Sequence, residues 1–246
     1  MIKNSLFVIF LASSFFGTSQ KQIDDQFNSW WSYSGTHKVT DKFSVSTLYS
    51  WRRNMGVKYW QQSLVRVGGN FKITDNFTVT PGYDWVVTFP YGKQPIAVNF
   101  IEHRPFEQFT LKNKIGRIVM KHRYRLEQRF LQNVSLNSEH KKVVNGYRFR
   151  NRTRYRLTFT IPLNHKTLED NTLFFTVFDE VFINFGKGTG KVLNQNWFNT
   201  SIGWKFNSKA SIKIGYQNQY LIKGNNNVER NHTFAFGINY NLDFRK

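Results

Sequence analysis

The chain has 246 residues, a formal charge of +20, no cysteine and 25 phenylalanines within an aromatic fraction of 17%. That length suits one barrel-sized domain or at most two small ones. The lack of cysteine excludes disulfides, thiolate metal sites and thiol catalysis. A charge this basic raises nucleic acid as a partner, but the arginines alternate with aromatic residues and form no compact patch or known motif, so none is expected.

The N-terminus reads as an export signal. Met1-Ile2-Lys3-Asn4 supplies a short positive region, Leu6 to Phe16 an apolar core, and Gly17-Thr18-Ser19 the small residues before Gln20. The apolar run is too short for a membrane-spanning helix, which needs about 20 residues. Cleavage between Ser19 and Gln20 makes 1–19 a signal peptide and 20–246 the mature domain, whose charge is +19 once Lys3 is lost.

Beyond that point hydrophobicity alternates with period two, and no stretch repeats convincingly at 3.6 residues, so the chain is all-β. Strands are predicted at 26–39, 43–54, 59–73, 77–89, 99–114, 117–131, 146–161, 171–185, 193–206, 210–222 and 231–244. Each exceeds the roughly 9–11 residues that cross a bilayer as a tilted strand. Thr40-Asp41-Lys42, Thr74-Asp75-Asn76 and Asn207-Ser208-Lys209 fit three-residue hairpin loops, and Ile115-Gly116 a two-residue turn. Longer polar links alternate with these turns, as periplasmic turns and extracellular loops do in outer-membrane β-barrels. Bacterial barrels favour even strand numbers, so eleven runs point to an antiparallel transmembrane barrel of about twelve strands, with ten as the alternative.

The most informative stretch is Tyr147 to Arg156. A strand places Arg148, Arg150, Arg152, Arg154 and Arg156 on one face, with Tyr147, Phe149 and Tyr155 on the other. Arginine facing lipid costs roughly 2–4 kcal/mol at the bilayer midplane. Five of them on one strand would cost on the order of 10 kcal/mol, comparable to the stability of a whole domain. The arginines therefore face the lumen. The same parity puts Arg52, Arg66, Arg104, Lys121, Arg123, Arg125 and Arg129 inside, the lumenal arginines being anion-binding candidates, with Asp84, Glu102, Glu127 and Glu180 as acidic partners. If Lys114 pairs with Arg117, then Glu102 falls opposite Arg129 and Arg104 opposite Glu127 as cross-strand ion pairs. The last run places Phe234, Phe236, Ile238, Tyr240, Leu242 and Phe244 on one face, an alternation that fits recognition by the barrel-assembly machinery.

With these motifs in place, the chain resembles the domain-of-unknown-function 2490 family, predicted outer-membrane barrels of Gram-negative bacteria. The matching residues are Trp30, Thr36-His37-Lys38, Asp41-Lys42, Arg52, Arg66 with Gly68, and Gly82-Tyr83. They continue with Glu102-His103-Arg104, Gln108, His122 to Arg129, Arg148-Phe149-Arg150, Pro162-Leu163, Glu180 to Asn184, Asn196 and Gly215-Tyr216. Trp197 departs from the family pattern, which often has Arg there. The resemblance implies the fold and an outer-membrane location, and no activity.

Catalysis is not expected. A lipid-hydrolysing barrel needs Ser and His in hydrogen-bond reach near the lipid-facing rim. The six histidines (His37, His103, His122, His140, His165 and His232) form no nucleophile elbow and no zinc motif with their neighbours. No cofactor or metal is expected. The reading is an uncharacterised outer-membrane barrel with an arginine-rich, ion-paired lumen, of structural or assembly type. The alternatives are an anion-favouring pore for small solutes and a lipid-modifying enzyme. Expected partners are outer-membrane lipid and lipopolysaccharide, the assembly machinery, and an anionic solute under the pore reading.

Overall fold

The structure is a computed structural model that describes residues 23–92, 96–223 and 227–245. The expected signal peptide lies outside the described residues. Period-two alternation produces eleven strands among them: β1 (Ile23–Lys38), β2 (Phe43–Asn54), β3 (Tyr59–Lys72), β4 (Phe77–Thr88), β5 (Phe100–Ile115), β6 (Ile118–Leu136), β7 (Lys142–Pro162), β8 (Thr172–Phe185), β9 (Leu193–Lys205), β10 (Ala210–Ile222) and β11 (Val228–Tyr240). Every strand pairs with its sequence neighbour, and β1 pairs with β11, so the sheet closes. Closure leaves no free edge.

The count corrects the expectation of twelve or ten. An odd number of alternating strands leaves the first and last running the same way, so the seam must be parallel. Ile23 stands beside Val228 and Tyr33 beside Ile238 in this parallel register. Nothing local in either strand encodes such a seam. The last strand also ends earlier than expected, at Tyr240; beyond it Phe244 donates its N–H to the Lys38 carbonyl at 2.9 Å, and Lys38 bridges Asp243 in parallel.

The short turns share one construction. Val39, Ile73 and Phe206 each donate a backbone N–H to the carbonyl four residues ahead, at 3.1, 3.0 and 3.0 Å. The next side chain then caps the loop. Thr40 Oγ1 accepts from the Phe43 N–H at 2.9 Å, Thr74 Oγ1 from Phe77 at 3.1 Å, and Asn207 Oδ1 from Ala210 at 2.9 Å. Thr and Asn side chains suit this position because they bond their own backbone a few residues on.

The β5–β6 turn differs from its expected position by one residue. Ile115 pairs with Ile118, leaving Gly116-Arg117 as the two-residue loop, with Gly116 at φ 58°. Positive φ at the first loop position alone is the type II′ pattern, which glycine adopts without steric penalty and isoleucine does not. That one-residue change shifts the strand register by two: Lys114 faces Val119, Glu102 faces Leu131 and Phe106 faces Glu127.

The outer surface is an apolar belt. Phe27, Tyr49, Val65, Val67, Phe109, Tyr124, Phe130, Phe149, Phe198 and Ile214 are all exposed there. Aromatic clusters mark both ends. At the end carrying the long loops, Trp60 packs on Trp51 and Phe89 at ring distances of 6.0 and 5.2 Å, with Arg53 over both tryptophans. At the end carrying the short turns, Phe43 packs on Phe71 at 5.0 Å and Phe77 on Phe109 at 6.4 Å.

Candidate functional site

The charged residues that alternation turned inward meet at mid-height of the lumen in two networks. The first spans β3 to β6. Asp84 accepts from Arg66 Nε at 2.6 Å and from Arg104 Nη1 at 3.3 Å, with Arg125 Nη1 at 3.7 Å. Glu102 accepts from Arg104 Nε at 2.7 Å and from Arg129 Nε and Nη2 at 2.6 and 2.9 Å. The second spans β6 to β8. Glu127 accepts from Arg152 Nε at 2.7 Å and Arg154 Nη1 at 2.8 Å. Glu180 accepts from Arg154 Nε and Arg156 Nε, both at 2.8 Å, and from Arg123 Nη2.

Each network sets four arginines on two carboxylates. Bidentate and shared contacts of this kind are the strong form of hydrogen bond, and Arg alone has the planar fork to make them. The excess positive charge lies against aromatic faces. The guanidinium carbon sits 3.9 Å from the Phe106 ring centroid for Arg125, 4.2 Å from Phe182 for Arg154 and 3.8 Å from Phe178 for Arg156. Desolvated cation–π contacts of this type contribute roughly 2 kcal/mol each.

The predicted partners meet in a different way from the one expected. Arg129 binds Glu102, but diagonally, because the shifted register puts Leu131 opposite Glu102. Arg104 does not bond Glu127; its head goes to Glu102 and Asp84, while Glu127 is held by Arg152 and Arg154. Of the five alternating arginines, Arg152, Arg154 and Arg156 join the networks. Arg148 and Arg150 sit nearer the loop end, where Arg148 donates to Asn133 at 3.0 Å and Arg150 to the Phe149 carbonyl at 2.9 Å. Among the described residues Arg52 binds no carboxylate. It lies 3.7 Å over the Trp30 ring and donates to Gln62 at 2.6 Å.

Sequence reasoning missed the interior aromatics. Trp30 on β1 and Trp197 on β9 touch across the lumen, with ring centroids 5.2 Å apart, although β10 and β11 separate their strands. Trp197 also packs on Phe182 at 4.7 Å. The signal was present, since Phe106, Phe178 and Phe182 share the parity of Arg104 and Glu180; equating aromatic with outward hid it. Glu229 was missed too. It is buried, and Lys223 Nζ and the Tyr91 hydroxyl bind it, both at 2.7 Å.

Together these side chains make a complete ring. Every strand contributes at least one buried inward residue near mid-height: Asn28, Ser50, Leu64, Asp84, Phe106, Glu127, Arg154, Phe182, Asn199, Gln217 and Thr233. Asp84, Glu127 and Glu180 are each 0% exposed.

Three histidines on the outer face pair with tyrosines: His103 with Tyr83, His122 with Tyr155 at 2.8 Å, and His232 with Tyr216 at 2.6 Å. His232 Nε2 also lies 3.5 Å from Asp25, giving an acid–imidazole–phenol order. Among the described residues no group of His, Cys, Asp and Glu forms a metal-ion site.

The solved structure titled "NanC porin structure in rhombohedral crystal form" is similar at 12% identity and a TM-score of 0.42, covering 82% of this chain and 89% of that one. No curated protein matches. The family model described as "Protein of unknown function (DUF2490)" matches residues 27–230, and the chain belongs to that family.

Proposed function

We propose that this chain is an outer-membrane barrel closed at mid-height, serving as a non-catalytic structural or assembly-type barrel and not as a constitutive pore. The apolar belt between two aromatic rims suits lipid and lipopolysaccharide, and the alternation of β11 suits recognition by the barrel-assembly machinery. In this orientation the short turns are periplasmic and the long loops extracellular.

The observation that carries the reading is the buried ring, above all the Trp30–Trp197 contact across the lumen. An open channel would leave its lining carboxylates wet, whereas Asp84, Glu127 and Glu180 have no accessible surface. Breaking a buried ion pair costs roughly 3–5 kcal/mol, so several tied into one partition make it stiff. Eight arginines on four carboxylates support a second reading, an anion-favouring pore that opens by rearrangement of this partition.

The test is fractionation of cells expressing the full chain, followed by planar-bilayer recording of the purified, heat-modifiable protein. A closed barrel fractionates with the outer membrane and gives negligible conductance. Steady anion-selective conductance would establish the pore instead. Phospholipid hydrolysis lost on His232→Ala would establish an enzyme, and a soluble periplasmic protein would remove the membrane reading altogether.

A further inference from the structure

On the turn side of the partition the lumen changes character. Inward lysines replace the paired arginines, and among the described strands no inward carboxylate accompanies them. Lys112 on β5 stands directly opposite Lys121 on β6, a like-charge cross-strand pair that is destabilising in isolation. Across the lumen, Lys213 on β10 lies between Gly203 on β9 and Gly237 on β11. Coulombic repulsion from Arg123, Lys112, Arg156 and Lys213 converges on Lys121. Among the described residues no side-chain hydrogen bond or ion pair holds the ammonium of Lys112, Lys121 or Lys213, while Lys72 and Lys205, at the same end, have Asp75 and Asp170.

The space between these walls is open. Lys112 and Lys213 are exposed although they face inward, and a Cβ placed on Gly237 would meet no atom within 4 Å. Repelling cations around one open space have a remedy, an oxyanion that accepts from the lysines of both walls.

We propose that the turn-side half of the lumen is a binding cup for a small multivalent oxyanion, bearing phosphate or carboxylate groups. Lys112 and Lys121 hold it from one wall, and Lys213 from the other. The arginines of the partition already have carboxylates, so the lysines are the anion-binding residues. The cup lies to one side of the partition and stands whether or not the partition conducts, so failure of either reading is seen separately.

The experiment is calorimetric titration of the detergent-folded full chain with inorganic pyrophosphate and with citrate, against acetate at equal ionic strength. Pyrophosphate, citrate or both should bind while acetate does not, and the pair identifies the preferred group. Lys121→Gln with Lys213→Gln should weaken binding tenfold or more. Lys191→Gln, in the β8–β9 loop, should leave it unchanged. In thermal melts the double lysine variant should unfold at a higher temperature than the parent without ligand and lose the ligand-induced rise. No binding to the folded parent, or binding that survives the double lysine change, would overturn the proposal. Loss matched by Lys191→Gln would also overturn it, because it would mean only diffuse attraction to a basic protein.

Discussion

Arg154 donates to Glu127 through Nη1 and to Glu180 through Nε, both at 2.8 Å, so one guanidinium joins carboxylates from β6 and β8. Arg152, by contrast, binds only Glu127 among the carboxylates of the described residues. This asymmetry sets up a mutant cycle. Glu127→Gln strands Arg152 in a buried site and should destabilise the barrel by about 3–5 kcal/mol. Adding Arg152→Gln removes the stranded charge and leaves Arg154 on Glu180, so the double variant should be more stable than Glu127→Gln alone. Urea unfolding in detergent measures all the corners. Strictly additive losses would mean that Arg152 and Glu127 are not coupled.

Trp30 and Trp197 close the lumen by contact between non-neighbouring strands. Changing both to alanine removes the rings that Arg52 and Arg154 lie against, without touching a carboxylate. Trp→Ala changes in cores cost about 3–5 kcal/mol each, so the double variant should fold with a lower melting point. It should also conduct in planar bilayers where the parent does not. A folded double variant that stays silent would place the barrier elsewhere, in the Arg–carboxylate networks themselves.

Strand positions were legible because inward and outward environments differ so sharply that hydrophobicity alternates along every strand. The turns were legible because Thr40, Thr74 and Asn207 carry the capping chemistry locally. Register was less so: Gly116 can occupy either position of a two-residue loop, and only its φ of 58° at the first position decides. The parallel β1–β11 seam is a property of the closed sheet and leaves no mark in either segment. Within the site, parity alone turned the arginines inward, but which carboxylate each arginine meets depends on strand stagger. The lysine cup stayed hidden because Lys112 and Lys213 stand among small and polar residues, with no aromatic alternation to draw attention.

At the turn end, Arg245 donates to Asp243 at 2.6 Å and to Asp41 at 2.6 Å, clasping the segment after β11 onto the β1–β2 hairpin. The hydrogen bond from Arg245 holds the Asp243 carboxyl at about 2, below its ordinary 3.8. Because the folded value lies below the unfolded one, the clasp is fully present above about pH 4. It is lost as pH falls through about 2. Arg245→Ala should return the Asp243 carboxyl toward 3.8, read by carbon NMR titration of the labelled side chain. An unchanged midpoint would mean that Arg245 does not bind Asp243 in solution.

The seam itself is open to a clean chemical test, because the chain has no cysteine. Tyr33 and Ile238 are parallel partners on the outer face of β1 and β11, and they are accessible to oxidant. A disulfide needs Cα atoms roughly 4.4–6.8 Å apart, which only directly adjacent strands supply. The Tyr33→Cys, Ile238→Cys variant should therefore oxidise to a single intramolecular species that keeps its heat-modifiable, folded mobility. Tyr33→Cys with Phe234→Cys, displaced four residues along the same strand, should not. In a twelve-stranded barrel another strand would stand between β1 and β11, and neither pair would close. Efficient oxidation of the displaced pair instead would keep the eleven strands but shift the parallel register, moving Asn28 and Trp30 relative to Thr233 and so redrawing the partition.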